Sequence, residues 1–512
     1  MSNESQNNKR LAKNTLILYA RMLFTVGISF YSTRLILANL GVSDYGVYNV
    51  IGGFVSMFYM VTSTMTQAVG RFLTFELGRD DARKLQQTFS TSVNILLLLA
   101  LVVVLLGETV GLWFVNAKLN IEPERMMAAN WIYQFSLLSF VLEMLSVPYS
   151  ASVISHEKMG TFAFVTIAKV LLTFGIALSL AISPIDKLVF YGILVFAVSL
   201  SIQLMYWVYC RKNFPECRYT LHIDKAIFKE MFGFAGWNFL TTCASMLSSQ
   251  GVSIMLNMHF GTAINAARGV ASQINGTAGA FTKNFTTALN PQITKSYAAG
   301  DIEYTTKLVC RGAKFSYLLF LFIALPCMLE VDFVLSKWLK DVPPYASIFV
   351  QLTLLNSLFE TVLYSSEVLN RASGKIRNFQ VIVSVGHLLI LAFSFIVLNI
   401  TKNPVWTVAV TNIIYLLISI PRVVVNKPFT GMSFRYFFNH VLRGIFIVTT
   451  LSTGICLLFL SSCEPGWFRL AGTCIISTIS VAINSWIFAL TESERSRIRK
   501  FLKNKFLLFI QV

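Results

Sequence analysis

Predominantly apolar stretches of twenty or more residues recur along the whole of this chain, and nothing else in it restricts the fold so strongly. Roughly 20 apolar residues in helical form cross the hydrocarbon core of a bilayer. Fourteen such stretches can be placed, over 12–38, 45–69, 89–115, 130–152, 162–182, 187–209, 230–256, 263–290, 311–334, 345–369, 379–400, 404–425, 441–462 and 468–490. With 55% hydrophobic and 13% charged residues among 512, the composition belongs in lipid. The first stretch is too long for a signal-peptide core and lacks a small-residue cleavage site, so residues 1–13 are expected to remain as a polar tail.

Orientation follows from charge. Lys9, Arg10 and Lys13 put the start in the cytoplasm, and with that start thirty of the 42 Lys and Arg fall in cytoplasmic tails and loops against seven outside. The positive-inside rule then requires an even number of spans with both termini cytoplasmic. The same asymmetry accounts for the net charge of +18, because the cations are scattered over short loops rather than gathered for nucleic acid, and no nucleic-acid partner is expected. Only the run over 492–506 is dense, and contact with anionic lipid headgroups is its expected role. Eight cysteines form no CxxC pair, and five scattered histidines show no metal-ligand or triad spacing, so no metal site is predicted.

The chain repeats itself. LGVSDYGVYNVIGGFVSMF (40–58) after span one corresponds to FGTAINAARGVASQINGTA (260–278) after span seven, Gly41 and Gly261 being 220 positions apart. AVGRFLTFELGRDDARKL (68–85) finds its counterpart in 288–308. Two six-span halves in the same orientation are implied, with spans thirteen and fourteen as additions. Span eight is the polar one. Asn265, Arg268, Ser272, Asn275, Gly276, Gly279, Lys283, Thr286 and Asn290 fall within about 100 degrees of its helical circumference, opposite Val270, Ile274, Phe281 and Phe285. A charge at mid-bilayer costs at least roughly 2.5 to 3.5 kcal/mol, so this stripe must face water, substrate or protein. Its repeat mate, span two, carries Asn49, Ser56, Ser63 and Gln67 along one face.

The stretch KNTLILYARMLFTVGISFYSTRLILANLGVSDYGVYNV (13–50), with Leu40, Gly41, Tyr45, Gly46 and Tyr48, together with the repeat and the span count, resembles bacterial polysaccharide flippases of the Wzx type. These belong to the multidrug/oligosaccharidyl-lipid/polysaccharide (MOP) exporter superfamily. The resemblance implies an all-α integral membrane fold of two six-helix lobes around a central cavity, in the cytoplasmic membrane of a bacterium. It also implies translocation of an undecaprenyl-diphosphate-linked oligosaccharide, a repeat unit of O-antigen, lipopolysaccharide, capsule or exopolysaccharide, with membrane lipids and other polysaccharide-assembly membrane proteins as partners. The expected organisation is a cytoplasmic tail (1–13), an N-terminal lobe (14–210), a linker (211–229), a C-terminal lobe (230–425), two additional spans (441–490) and a basic tail (491–512).

Five cations are placed inside spans: Arg21, Arg34, Lys169, Arg268 and Lys283. A lipid diphosphate would find its counter-charges among them, with Asn49, Asn265 and Asn275 supplying polar contacts. Arg268 and Lys283 lie 15 residues apart, about 22 Å along the axis, which suits successive sites better than one clamp. The competing reading is internal pairing. Glu143 and Lys169 lie at matching depths, and Arg34 has Glu108 within reach or can snorkel to the interface. On span ten, Asn356, Glu360, Tyr364, Glu367 and Arg371 share one face, making Glu360, Glu367 and Glu143 candidates for proton or sodium coupling. The alternative there is a Glu367–Arg371 pair with Glu360 neutralised by a lumen cation such as Arg21. Pro148 and Pro326 interrupt spans, either as hinges or as static kinks.

No separate cofactor is expected. No GxxxxGK[ST] is present, since SGK at 373–375 has Leu369 where the leading glycine belongs, and outer loops too short for a catalytic site argue against an enzyme. A drug or small-molecule exporter of the same superfamily is the nearest rival. Such exporters depend on carboxylates in spans one and seven, where this chain has Arg21 and Arg34 in span one and, in span seven, Asn238, Thr241, Ser245 and Gln250 without a central acid. A flippase for a peptidoglycan lipid precursor shares the charge sign.

Overall fold

In a computed structural model the chain is helical, and among the described residues no strand occurs. The structure describes residues 3–56, 58–117, 121, 123–220, 224–260, 262–339, 342–496 and 499. Some side chains of the first and tenth helices lie outside the described residues, those of Asn49 and Asn265 among them.

The helices are α1 (Asn3–Ser56), α2 (Tyr59–Arg79), α3 (Ala82–Leu106), α4 (Leu112–Ala117), α5 (Met126–Leu145), α6 (Val147–Ser155), α7 (Met159–Ser179), α8 (Lys187–Asn213), α9 (Lys225–Phe260) and α10 (Thr262–Ala298). They continue with α11 (Ile302–Leu329), α12 (Val331–Trp338), α13 (Ala346–Ser373), α14 (Arg377–Thr401), α15 (Val405–Val424), α16 (Lys427–Thr430), α17 (Phe434–Phe437), α18 (Arg443–Leu460) and α19 (Trp467–Asn484). Each of the fourteen expected spans coincides with helix. Among the described residues, twelve of the helical stretches are long and apolar enough to cross a membrane. Spans two and eight, the polar repeat mates, are the two that fall short, because their hydroxyl, amide and charged residues dilute the apolar surface.

Local chemistry sets the breaks. Inside α1 the backbone leaves helical geometry at Gly41 (φ 80°, ψ 169°), a conformation that glycine adopts without steric cost. This is the glycine of the repeated motif, and its mate Gly261 lies outside the described residues. Pro148 sits in the first turn of α6, where its missing N–H would have no intrahelical partner anyway, so it starts a helix instead of kinking one. Pro326 falls in the last turn of α11, just before the chain turns into α12 at Glu330. Asp81, Asp186 and Asp301 cap α3, α8 and α11 with side-chain acceptors.

The chain divides into two compact units, residues 1–242 with 294–300, and residues 243–293 with 301–512. In the first, α5 packs along α3 and α8, α7 along α8, and α1 along α7. In the second, α13 packs along α11 and α15, and α14 along α15. Spans three to six and nine to twelve thus pair in the same way, as two copies of one repeat should. Close contacts need glycine at Gly107, where a Cβ would stand 2.7 Å from Leu137 Cδ2, and at Gly312, where it would stand 2.3 Å from Ser365 Oγ.

The added helices belong to the second unit. Glu330, fully buried, accepts from Arg469 Nε and Nη2, each at 2.9 Å, and from Thr473 Oγ1 at 3.0 Å, fastening α19 to the C-terminal end of α11. Near the middle of α11 Lys314 donates to Glu494 Oε2 at 2.7 Å and to the Ala489 carbonyl at 3.2 Å, with Arg311 Nε 3.6 Å from the same carboxylate. Glu494 comes from the dense basic run expected to contact anionic lipid headgroups. Its burial departs from that expectation, because Lys314 on α11 needs a counter-charge.

Candidate membrane-embedded polar site

Within the first unit the polar centre is built on α5 and α7. Glu143 accepts a hydrogen bond from Lys169 Nζ and another from Tyr59 Oη, the first residue of α2. Depth matching anticipates the Glu143–Lys169 pair, whereas Tyr59 is absent from that reading. Lys169 is 44% exposed and Glu143 25%, so the pair is partly open. Arg21 lies over the Phe162 ring at 5.0 Å, two helical turns from Lys169 on α7. Arg34 is exposed, and among the described residues it has no carboxylate within ion-pair distance. Glu108, its expected partner, instead accepts from Gln134 Nε2 at 3.1 Å, because Gln134 stands beside the π turn at Gly107–Gly111 that carries Glu108.

A second cluster in the same unit joins Asp44 of α1, Arg125 before α5 and Asp186 before α8. Arg125 donates to Asp44 (Nε to Oδ1, 2.8 Å) and to Asp186, and Lys187 donates to the Asn39 carbonyl at 3.1 Å. Asp186 also accepts from the N–H groups of Leu188 and Val189.

In the second unit the face of α13 is populated as the spacing predicts, but with a different partner. Glu367 pairs with Arg371 one turn on. Glu360 is held by both terminal nitrogens of Arg422 from α15, Nη2 lying at 3.4 Å, and the same guanidinium stands 3.7 Å from Glu367. Arg422 therefore takes the role expected of Arg21. It is 2% exposed and rests on the Phe379 ring at 5.4 Å. In the sequence it follows Pro421 in the last turn of span twelve and is not among the five cations read as membrane-embedded. The helix continues past that proline to Val424 and carries Arg422 inward. Tyr415 of α15 and His387 of α14 meet edge to face beside it, their centroids 5.9 Å apart. Asn290 donates to Tyr364 Oη at 3.4 Å, tying α10 to α13.

On α10 the polar stripe is helical throughout. Arg268 is half-buried and its Nη1 donates to Ser253 Oγ of α9 at 2.9 Å. Lys283 is exposed, and its carbonyl accepts from Thr286 and Thr287. Asn275 is partly buried, with no hydrogen-bond partner for its Oδ1. Among the described residues neither Arg268 nor Lys283 has a carboxylate partner, and no group of His, Cys, Asp and Glu converges as a metal site.

No protein-family model matches the sequence, and no curated protein matches it. Solved structures do match in shape. A multidrug-resistance MATE family transporter of the MOP superfamily, in an outward-facing conformation, aligns with TM-score 0.70 over 84% of this chain and 98% of that one at 11% identity. The fold is that of a MATE transporter. A MOP superfamily transporter from Pyrococcus furiosus aligns with TM-score 0.69 over 84% of this chain and 98% of that one, at 11% identity. The MATE transporter ClbM, in complex with Rb+, aligns with TM-score 0.66 at 14% identity, covering 84% of this chain and 96% of that one. These structures share the chain's fold, and what the chain does has to be argued from the chemistry of its own buried charges.

Proposed function

We propose that the chain is a flippase that carries an undecaprenyl-diphosphate-linked oligosaccharide across the bacterial cytoplasmic membrane by alternating access, with both termini cytoplasmic. One observation carries the reading. The deep acids Glu143, Glu360 and Glu367 are each matched by a cation, whereas Arg268 and Lys283 on the polar face of α10 have no carboxylate partner among the described residues. Their surplus positive charge suits an anionic cargo, since an unmatched cation in the membrane is stable only where water or a counter-ion reaches it. Arg21 adds a further cation beside Phe162. The two residues on α10 provide successive stations for a diphosphate moving along the helix.

Export of a cationic small molecule is the rival; the first-named neighbour is described as a multidrug-resistance transporter. The P. furiosus neighbour is described as having a binding pocket of reverse polarity that suggests a different function, so within this fold charge sign can separate cargoes. The sign here favours the anion. The reading also takes ion coupling through the carboxylates of α5 and α13. Binding of an undecaprenyl-diphosphate-linked oligosaccharide to purified wild-type protein, Arg268→Ala and Lys283→Ala across a salt series tests it. Folded variants should lose salt-sensitive affinity; wild-type protein that binds no diphosphate lipid would hand the reading to the exporter.

A further inference from the structure

From Val368 to Cys463 the chain contains no Asp or Glu but eight Lys and Arg. Two of these, Arg371 and Arg422, are matched by Glu367 and Glu360 just before the interval. Of the others, Lys375, Lys427, Arg435 and Arg443 are exposed, and among the described residues none has a carboxylate within ion-pair distance. They gather at one end of the second unit. Asn370 Nδ2 donates to Asn426 Oδ1 at 3.0 Å, which brings the C-terminal end of α13, shortly before Lys375, to the residue that precedes Lys427.

The segment 427–446 sets aromatic rings among these cations. Gly431 (φ 71°) turns the chain after α16, Ser433 Oγ accepts from the Tyr436 N–H at 3.2 Å to cap α17, and a π turn over Phe438–Leu442 leads into α18. Phe437, Val441 and Ile445 are buried where this segment packs on α11 and α15. The remaining surface shows Tyr436 at 38% exposed, Phe438 at 46% and Phe446 at 71%, interspersed with Arg435, His440 and Arg443. The Tyr436 and His440 rings stack with centroids 3.9 Å apart, and His440 Nδ1 donates to the Tyr436 carbonyl at 2.9 Å. Length gives the depth of these groups. The helical stretch Phe434–Leu460 has 27 residues, whereas roughly 20 cross the hydrocarbon. Arg435, Asn439, His440 and Arg443 all fall at its start, so the surplus lies there, in the headgroup layer.

We propose that this face is a docking site for an anionic diacyl phospholipid, with Lys427, Arg435 and Arg443 on the phosphate and Tyr436 and Phe438 against the glycerol and upper acyl chains. Rings of this kind are favoured at the boundary of water and hydrocarbon, where the apolar body is covered and a polar tip stays wet. Guanidinium groups bind phosphate through paired N–H donors, and each cation near a membrane surface favours acidic lipid by about fivefold. A zwitterionic lipid carries its own ammonium to the same surface and gains far less. Glu303 of α11, within electrostatic reach of Tyr436, is already engaged by Lys307. The inference does not depend on what the fold transports.

The test uses full-length protein in nanodiscs of phosphatidylcholine that carry either photoactivatable phosphatidylglycerol or photoactivatable phosphatidylcholine, with adducts mapped by mass spectrometry. Phosphatidylglycerol should label the 427–446 stretch at least about fivefold more than phosphatidylcholine, and added salt should reduce that preference. Combining Lys427→Gln, Arg435→Gln and Arg443→Gln should bring labelling down to the phosphatidylcholine level. Arg435→Gln alone should lower it about fivefold, and it serves if the triple variant fails to fold. Neutralising Arg211 and Lys212, exposed at the end of α8 in the first unit, should leave labelling of 427–446 unchanged. Equal labelling by the two lipids, or a folded triple variant that keeps the preference, overturns the inference. Glycerol phosphate that suppresses labelling as well as unlabelled phosphatidylglycerol does, at equal ionic strength, would mean that a free phosphate is held, and that too overturns the lipid assignment.

Discussion

Removing Glu494 should loosen the second unit far more than an ordinary surface substitution near the C-terminus. Lys314 is 3% exposed and Glu494 5%, and they meet at 2.7 Å. In Glu494→Ala the ammonium keeps one acceptor, the Ala489 carbonyl at 3.2 Å, and stays in a site that admits almost no water. Breaking a buried pair by removing one partner costs about 3 to 5 kcal/mol, because the remaining charge is uncompensated. Arg311, which shares Glu494, is left in like-charge proximity to Lys314 and adds to the strain. Cys310, buried one turn before Lys314, is a natural reporter of opening. Its reaction with a thiol-specific dye during a temperature ramp should begin several degrees lower in Glu494→Ala than in wild type. Replacing both members, Lys314→Met with Glu494→Leu, should return most of the loss, since an apolar pair of similar volume is near neutral. Dye reaction at the wild-type temperature in Glu494→Ala, or a double variant as labile as the single one, would refute the reasoning.

Other consequences follow from the same geometry. Arg422→Met should destabilise the protein by about 3 to 5 kcal/mol, whereas Glu360→Gln should fold because Arg422 keeps Glu367 at 3.7 Å; thermal melting compares them. In transport assays Glu360→Gln should lose ion dependence, and full rate with full ion dependence would remove Glu360 from coupling. Gly312→Ala should cost about 1 to 3 kcal/mol through overpacking against Ser365 and Leu289, measured by the same ramp. Partial burial works against ionisation of Asp186, but the Arg125 guanidinium and the N–H groups of Val189 and Leu188 outweigh it and hold the carboxyl below its usual value. A depressed folded-state pKa adds stability above the unfolded carboxylate value, lost as pH falls through the folded one. Wild type should therefore lose stability relative to Asp186→Asn as pH drops below about 4, and parallel melting curves over that range would contradict the assignment.

The spans were legible because hydrocarbon thickness imposes a length that a chain cannot disguise. The polar face of α10 was legible because helical periodicity places Arg268, Asn275 and Lys283 on one side wherever the helix sits. The Glu143–Lys169 pair followed from depth alone, since partners in neighbouring helices must lie at similar heights. Arg422 did not. Its role depends on α15 continuing past Pro421, and a sequence gives no sign of whether a helix survives a proline near its end. Glu494 was hidden by its neighbours, for a dense basic run reads as a lipid-headgroup contact until a cation such as Lys314, 180 positions away, is found to need one of its acids. Arg125 likewise gathers Asp44 from α1 and Asp186 from the turn before α8, 81 and 61 residues distant, a convergence that only the folded chain creates.

Purified protein reconstituted into liposomes with a fluorescent undecaprenyl-diphosphate-linked oligosaccharide tests the central claim most directly, because quenching from outside reports each lipid that changes leaflet. Wild-type protein should speed exchange well above protein-free liposomes, and Arg268→Ala and Lys283→Ala should slow it without altering the amount of folded protein in the membrane. Exchange no faster than in protein-free liposomes, with the same preparation expelling a cationic dye, would contradict the account and make the chain an exporter.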